Sequence, residues 1–174
     1  VVRKAGDPVA AAKWWNAAAD IAPEGRAFEY LVEAAESWRS KPDPVTLHPA
    51  LTRMVGVARS AGERTRSARV VDAAARQTRS WTFARDLLIQ LMKAEPDEAG
   101  RVALWQHVSA IAQELGAEKE IPDLLRQLAA DNPQDPVPRA LLSSMLPPGD
   151  ELDDHLAALS KAPPASPQML LSLA

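Results

Sequence analysis

Proline and glycine punctuate this chain at short intervals, 15 prolines and 7 glycines in 174 residues, and the segments between them read as short helices. Between the interruptions, apolar residues return at spacings of three and four, the period of a helix buried along one face. Ten such segments are read, over residues 7–22, 24–39, 46–60, 63–78, 81–94, 99–115, 118–131, 136–145, 150–161 and 166–174. The chain is 47% hydrophobic, dominated by Ala and Leu, with one Tyr and two Phe, which suits helices and leaves a sheet little to pack with. The connections are mostly of roughly two to six residues, so successive helices are expected to lie antiparallel as hairpins. Three joints stand out. Ser40 to Val45 holds two prolines and is expected to be non-helical, and Lys161 to Pro167 is a stiff proline-rich stretch. Pro147-Pro148-Gly149 is a shorter break, after which Asp150 is expected to cap the next helix.

The segments also repeat. A small or aliphatic residue, a large apolar residue four later and a proline eight after that occur as Ala11, Trp15, Pro23, as Ala84, Leu88, Pro96, and as Ile121, Leu125, Pro133. A fourth copy, Ala50 and Met54, has Gly62 as its stop in place of proline, and the stops then fall 39, 34 and 37 residues apart. Helices of a second type are marked by Trp105, Val108, Ser109 and Ala112, and less clearly by Phe28, Leu31, Val32, Ala35 and by Ala68, Val71, Asp72, Ala75. Together these resemble the two helix signatures of the tetratricopeptide (TPR) repeat. The resemblance spans about residues 7–146 and is most specific over 84–133. It implies an all-α fold of antiparallel hairpins stacked as a right-handed α-solenoid, with TPR-like repeats over 1–146 and a less regular helical continuation over 147–174. It also implies a concave groove, lined by the helices that begin each hairpin, which takes an extended peptide or a partner helix.

The net charge of -3 and pI near 5.6 argue against a protein whose main task is coating nucleic acid, since phosphate binding normally shows as a basic domain. There is no cysteine, so disulfides and thiolate metal sites are excluded while the compartment stays open. No apolar run approaches the roughly 20 residues that span a bilayer, and membrane contact is expected only through parts outside this stretch. Both ends read as cut, the first entering a helical pattern at Asp7-Pro8 and the last stopping in the apolar run Met169 to Ala174.

Catalytic patterns are not found. His48, His107 and His155 are scattered, and none forms a two-histidine pair on one helix face. His155, with Glu151 one turn earlier and Asp154 beside it, reads as part of a solvated acidic helix. The isolated glycines do not form a phosphate loop, and no serine sits in a nucleophile elbow. No enzyme activity, cofactor or small-molecule substrate is therefore expected. The five tryptophans, Trp14, Trp15, Trp38, Trp81 and Trp105, read as knobs between helices. Consecutive helical residues point about 100° apart, so one of Trp14 and Trp15 has to face away from its neighbour's packed side, toward a further repeat.

The charged feature of most interest is the series Arg59, Arg64, Arg66, Arg69, Arg76, Arg79 and Arg85. With Ala68, Val71 and Ala75 as a packed face, Arg66, Arg69 and Arg76 project together on another side. By the resemblance that side lines the groove, where guanidinium groups would take the carboxylates of an acidic peptide or helix. Gln106 and Gln113 complete the candidate partner-binding set. The competing reading is internal: Glu29, Glu33 and Glu36 occupy the matching helix and are placed to neutralise the arginines. Two other functions compete with a protein-binding scaffold: a basic hairpin over 59–85 acting on nucleic acid, and an accessory helical domain of an enzyme lying elsewhere.

Overall fold

The computed structural model describes residues 7–23, 25–39 and 44–161, and among these the regular structure is wholly helical. The α-helices are α1 (Pro8–Asp20), α2 (Ala27–Arg39), α3 (Pro44–Val57), α4 (Ala61–Thr78), α5 (Trp81–Ala94), α6 (Glu98–Leu115), α7 (Ile121–Asp131), α8 (Pro136–Ser143) and α9 (Asp150–Lys161), with a 3-10 turn at Glu118–Glu120. The expected tenth segment, 166–174, and the proline-rich joint before it lie outside the described residues.

Local chemistry explains most of the boundaries. Asp7 caps α1 by accepting the Val9 N–H at 2.9 Å, and Asp97 and Asp135 cap α6 and α8 in the same way. Ser60 and Glu63 form a reciprocal box at the start of α4: the Ser60 hydroxyl accepts from the Glu63 N–H, and the Glu63 carboxylate accepts from the Ser60 N–H at 2.8 Å. Pro23, Pro96 and Pro133 each follow a helix end, where a missing donor does no harm. Gly116 closes α6 in the left-handed region at φ 75°, which a side chain would resist. Arg79 takes a similar conformation after α4, at φ 52°.

Several expectations are corrected. Pro44 and Val45 are helical, because a proline in the first turn has no intrahelical bond to lose; residues 40–43 of that joint lie outside the described residues. Gly62 does not stop α3, which ends at Val57; it is the second residue of α4, drawn in by the Ser60 cap. Asp150 is the first residue of α9 and adds charge to its acidic first turn. The segment 118–131 divides at Pro122, whose ring nitrogen has no hydrogen for the Glu118 carbonyl, so a 3-10 turn precedes α7.

The chain forms two compact units, Val1–Glu95 and Pro96–Ala174. In the first, each helix packs on the next from α1 to α5, and alternate helices also meet, α2 on α4 and α3 on α5. Helix α4 therefore has neighbours on three sides. Its buried residues are Arg64, Ser67, Ala68, Val70, Val71, Ala74 and Ala75, nearly all small, so α2, α3 and α5 can approach closely. Around it Leu31, Val32, Leu47, Leu51, Met54, Leu88 and Leu91 are almost fully buried, each large side chain contributing about 1.5–3 kcal/mol of transfer energy. In the second unit α7 packs on α8, α8 on both α6 and α9, and Val102, Val137 and Ala140 form a small core covered by Leu141 and Leu159.

One ionic contact is buried in the first unit. Arg64 Nε donates to Glu95 Oε2 at 2.7 Å, with side chains 7% and 3% exposed, and Arg64 Nη1 donates to the Arg59 carbonyl at 2.6 Å. This clips the start of α4 to the residue that ends α5. A second contact joins α3 to α5: the His48 ring lies flat on Phe83, centroids 3.6 Å apart and planes 10° from parallel. Its Nε2 is buried without a hydrogen-bond partner, and burial lowers the His48 pKa below the ordinary 6.5.

Removing one side of the buried ion pair should be severe. Arg64→Met or Glu95→Gln is expected to destabilise the chain by about 3–5 kcal/mol in urea unfolding, and Arg64→Met with Glu95→Leu by clearly less than the sum, because the double variant strands no charge. Stability should also fall in two stages with acid. His48 takes up its proton more readily unfolded, so its effect is absent above 6.5 and destabilising as pH falls below it. Glu63 is held below its ordinary 4.5 first by the backbone N–H groups of Ser60 and Arg59, so its contribution is present above 4.5 and lost as pH falls through its folded value. Urea midpoints measured from about pH 8 to about pH 3 should lose the first stage in His48→Gln and show a smaller second stage in Glu63→Gln, because Glu151, also held below its ordinary value, keeps its share.

Candidate partner-binding face

Spacings of three and seven put Arg66, Arg69 and Arg76 on one side of α4, opposite the face that buries Ala68, Val71 and Ala75. All three reach the surface, but they are not equivalent. Arg66 Nη1 donates to Glu29 Oε2 of α2 at 2.6 Å. Arg76 Nε donates to Asp72 Oδ1, one turn earlier on α4, also at 2.6 Å. Arg69 is exposed and makes no ion pair among the described residues. The contact of α2 with α4 therefore sets an acidic helix face, with Glu29, Glu33 and Glu36, beside a basic one and joins them by the Arg66–Glu29 bridge.

The rest of the arginine series divides. Arg64 leaves the surface altogether, and Arg85 pairs with Asp86. Arg64 could have been separated from the others by register, since 64, 68, 71 and 75 follow the four-three-four spacing of the packed face. Long-range pairs were less legible. Arg53 of α3 donates to Asn16 Oδ1 of α1 at 2.6 Å and pairs with Asp20 at the end of α1. Here the partners are more than thirty residues apart in sequence, and nothing in the local pattern joins them.

Gln106 and Gln113 are exposed on α6 and belong to the second unit, whereas the arginines belong to the first. In that second unit Arg126 of α7 donates to Asp123 Oδ1 and Glu151 Oε1, each at 2.7 Å, tying α7 to α9. The hydrogen bond from Arg126 lowers the Glu151 pKa and in turn raises that of the guanidinium. Glu151, one turn before His155, is thus engaged by an arginine, and no group of three or more His, Asp or Glu among the described residues is arranged to hold a metal. Arg101 Nε lies 3.2 Å from Asp135 Oδ2, within ion-pair range but off the hydrogen-bonding direction, while Arg101 Nη1 donates to the Pro96 carbonyl.

Trp38, Trp81 and Trp105 are buried, as expected of knobs between helices. Of the adjacent pair, Trp15 is half-buried and stacks on Tyr30 of α2, centroids 5.5 Å apart, while Trp14 is the outward one, 51% exposed. No described helix is long and apolar enough to cross a membrane. Comparison with known proteins finds no matching family model, no matching curated protein and no matching solved structure.

The Arg66–Glu29 bridge is solvent-exposed, with side chains 41% and 56% accessible, and so contributes little to stability. A double-mutant cycle with Arg66→Ala and Glu29→Ala should give a coupling below about 1 kcal/mol that shrinks further in molar salt. A larger coupling that resists salt would mean that the two helix faces are held together by charge.

Proposed function

We propose that this protein is a non-enzymatic scaffold built of TPR-like hairpins in an α-solenoid, which binds an acidic peptide or helix of another protein. The observation that carries this reading is the exposed charged face made where α2 meets α4. There Arg69 makes no ion pair among the described residues and stands between Arg66 and Arg76, whose guanidinium groups are already oriented by Glu29 and Asp72. A guanidinium held in this way can add a second carboxylate with little further loss of side-chain freedom. The contacts of alternate helices, α2 with α4 and α3 with α5, support the solenoid, because a stack of hairpins brings like helices side by side. The likeness to the repeat signature supplies the kind of ligand and is an argument by analogy.

A protein partner fits better than nucleic acid. Arg64, Arg66, Arg76 and Arg85 each face a carboxylate of this chain, which cancels much of the positive potential that phosphates would seek.

The test is affinity capture with the intact chain, compared at low and high salt and with Arg69→Glu, the captured proteins being identified by mass spectrometry. Specific proteins retained by the wild type and lost at least tenfold in Arg69→Glu, with an unchanged circular dichroism spectrum, are the expected result. Equal capture by the variant overturns this face as the binding site. Recovery of nucleic acid alone, with a steep salt dependence, overturns the protein-binding reading.

A further inference from the structure

Helix α1 has two apolar seams, of which the described residues of the first unit cover one. The inner seam, Ala11, Ala12, Trp15 and Ala19, turns toward α2 and is buried or half-buried. The outer seam is Ala10, Trp14 and Ala17, continued by Ile21, the residue just past the helix end, all exposed, with Trp14 at 51% and Ile21 at 87%. Their spacing of four, three and four is that of a coiled-coil contact line, not of scattered surface residues. The Trp14 ring is also braced from behind. It meets Trp15 edge to face at 4.6 Å, and Trp15 in turn stacks on Tyr30. A large aromatic held in place beside small residues is the usual anchor of a protein interface.

We infer that this seam is a self-association surface, on which α1 of a second copy lies antiparallel. Self-complementarity argues for that occupant. In an antiparallel pair Trp14 falls opposite Ala17 of the other copy, and Ile21 opposite Ala10, so each large side chain meets a small one and the backbones approach closely. The flanking charges select the same direction. Lys13 and Asp20 lie seven residues apart on one flank of the seam, and the other flank carries Ala11 and Ala18. Antiparallel packing brings like flanks together, so Lys13 of each copy faces Asp20 of the other; parallel packing would set Lys13 against Ala18 and leave Asp20 with no partner on the helix. Asp20 takes Arg53 through Oδ1 and has its second oxygen for this contact. The contact is isologous and closes as a two-fold dimer.

A single pair of helices of this length lies at the small end of specific interfaces, so a dissociation constant on the order of 10–100 µM is expected. Sedimentation equilibrium of the intact chain across about 5 µM to 1 mM tests it, with each variant checked by circular dichroism. The expected result is a mass rising from one chain toward two. Trp14→Glu should stay a single chain throughout, Trp14→Leu should still associate, and Lys13→Glu should weaken association about three- to tenfold, most at low salt. A wild-type mass that stays at one chain up to 1 mM overturns the proposal, as does a Trp14→Glu variant that still dimerises. Association unaffected by Lys13→Glu overturns the antiparallel arrangement.

Discussion

The first unit depends on one helix having to bury itself on three sides. Helix α4 sits against α2, α3 and α5, and it does so with Ser67, Ala68, Val70, Val71, Ala74 and Ala75. Side chains this small set the distance at which three neighbouring helices can pack, and larger ones would push them apart. The same crowding accompanies a buried ion pair in the interior. Arg64 enters on the packed face at the start of α4, and Glu95 at the end of α5 turns in to meet it. Two charges taken from water stabilise little as a pair, but neither is tolerable alone, so the contact fixes where the two helix ends meet.

From that arrangement the surface follows. Once one side of α4 is given to packing, its charged residues share the remaining arc, and the contact with α2 brings three acidic residues alongside. Two of the three arginines first read as ligand-binding are engaged by carboxylates of the chain itself, Arg66 by Glu29 and Arg76 by Asp72. Pairing thus engages Arg66 and Arg76, while Arg69 makes no ion pair among the described residues. On α1 the asymmetry is of another kind. Its inner seam is spent on α2, and its outer one presents Trp14 and Ile21 to solvent, an arrangement that a helix buried on both faces would share.

Legibility in the sequence followed the range of the interaction. Helices α5 and α9 begin and end where the spacing placed them, and α1, α4, α6 and α8 lie within two residues, each of these four with a side-chain cap that acts over two or three positions. Failures were local too. Pro44 was read as a break although a first-turn proline loses nothing, and Gly62 was read as a stop although Ser60, two residues earlier, already begins the next helix. Arg64 belongs to the arginine series by charge, while its register with Ala68, Val71 and Ala75 puts it on the buried side.

What the sequence by itself determined is that the described residues are helical, that their helices are short, and that within each unit they pack mostly on their neighbours in the chain. These properties rest on hydrogen bonds within a turn, on the missing donor of proline and on apolar periodicity, all of which are written in consecutive residues. The tertiary structure alone decided which charges are buried, which are neutralised and which stay open. Arg64 meets Glu95, Arg66 meets Glu29 and Arg53 meets Asp20 across 31, 37 and 33 residues of chain, and no local pattern can encode a contact that exists only after the helices between have packed.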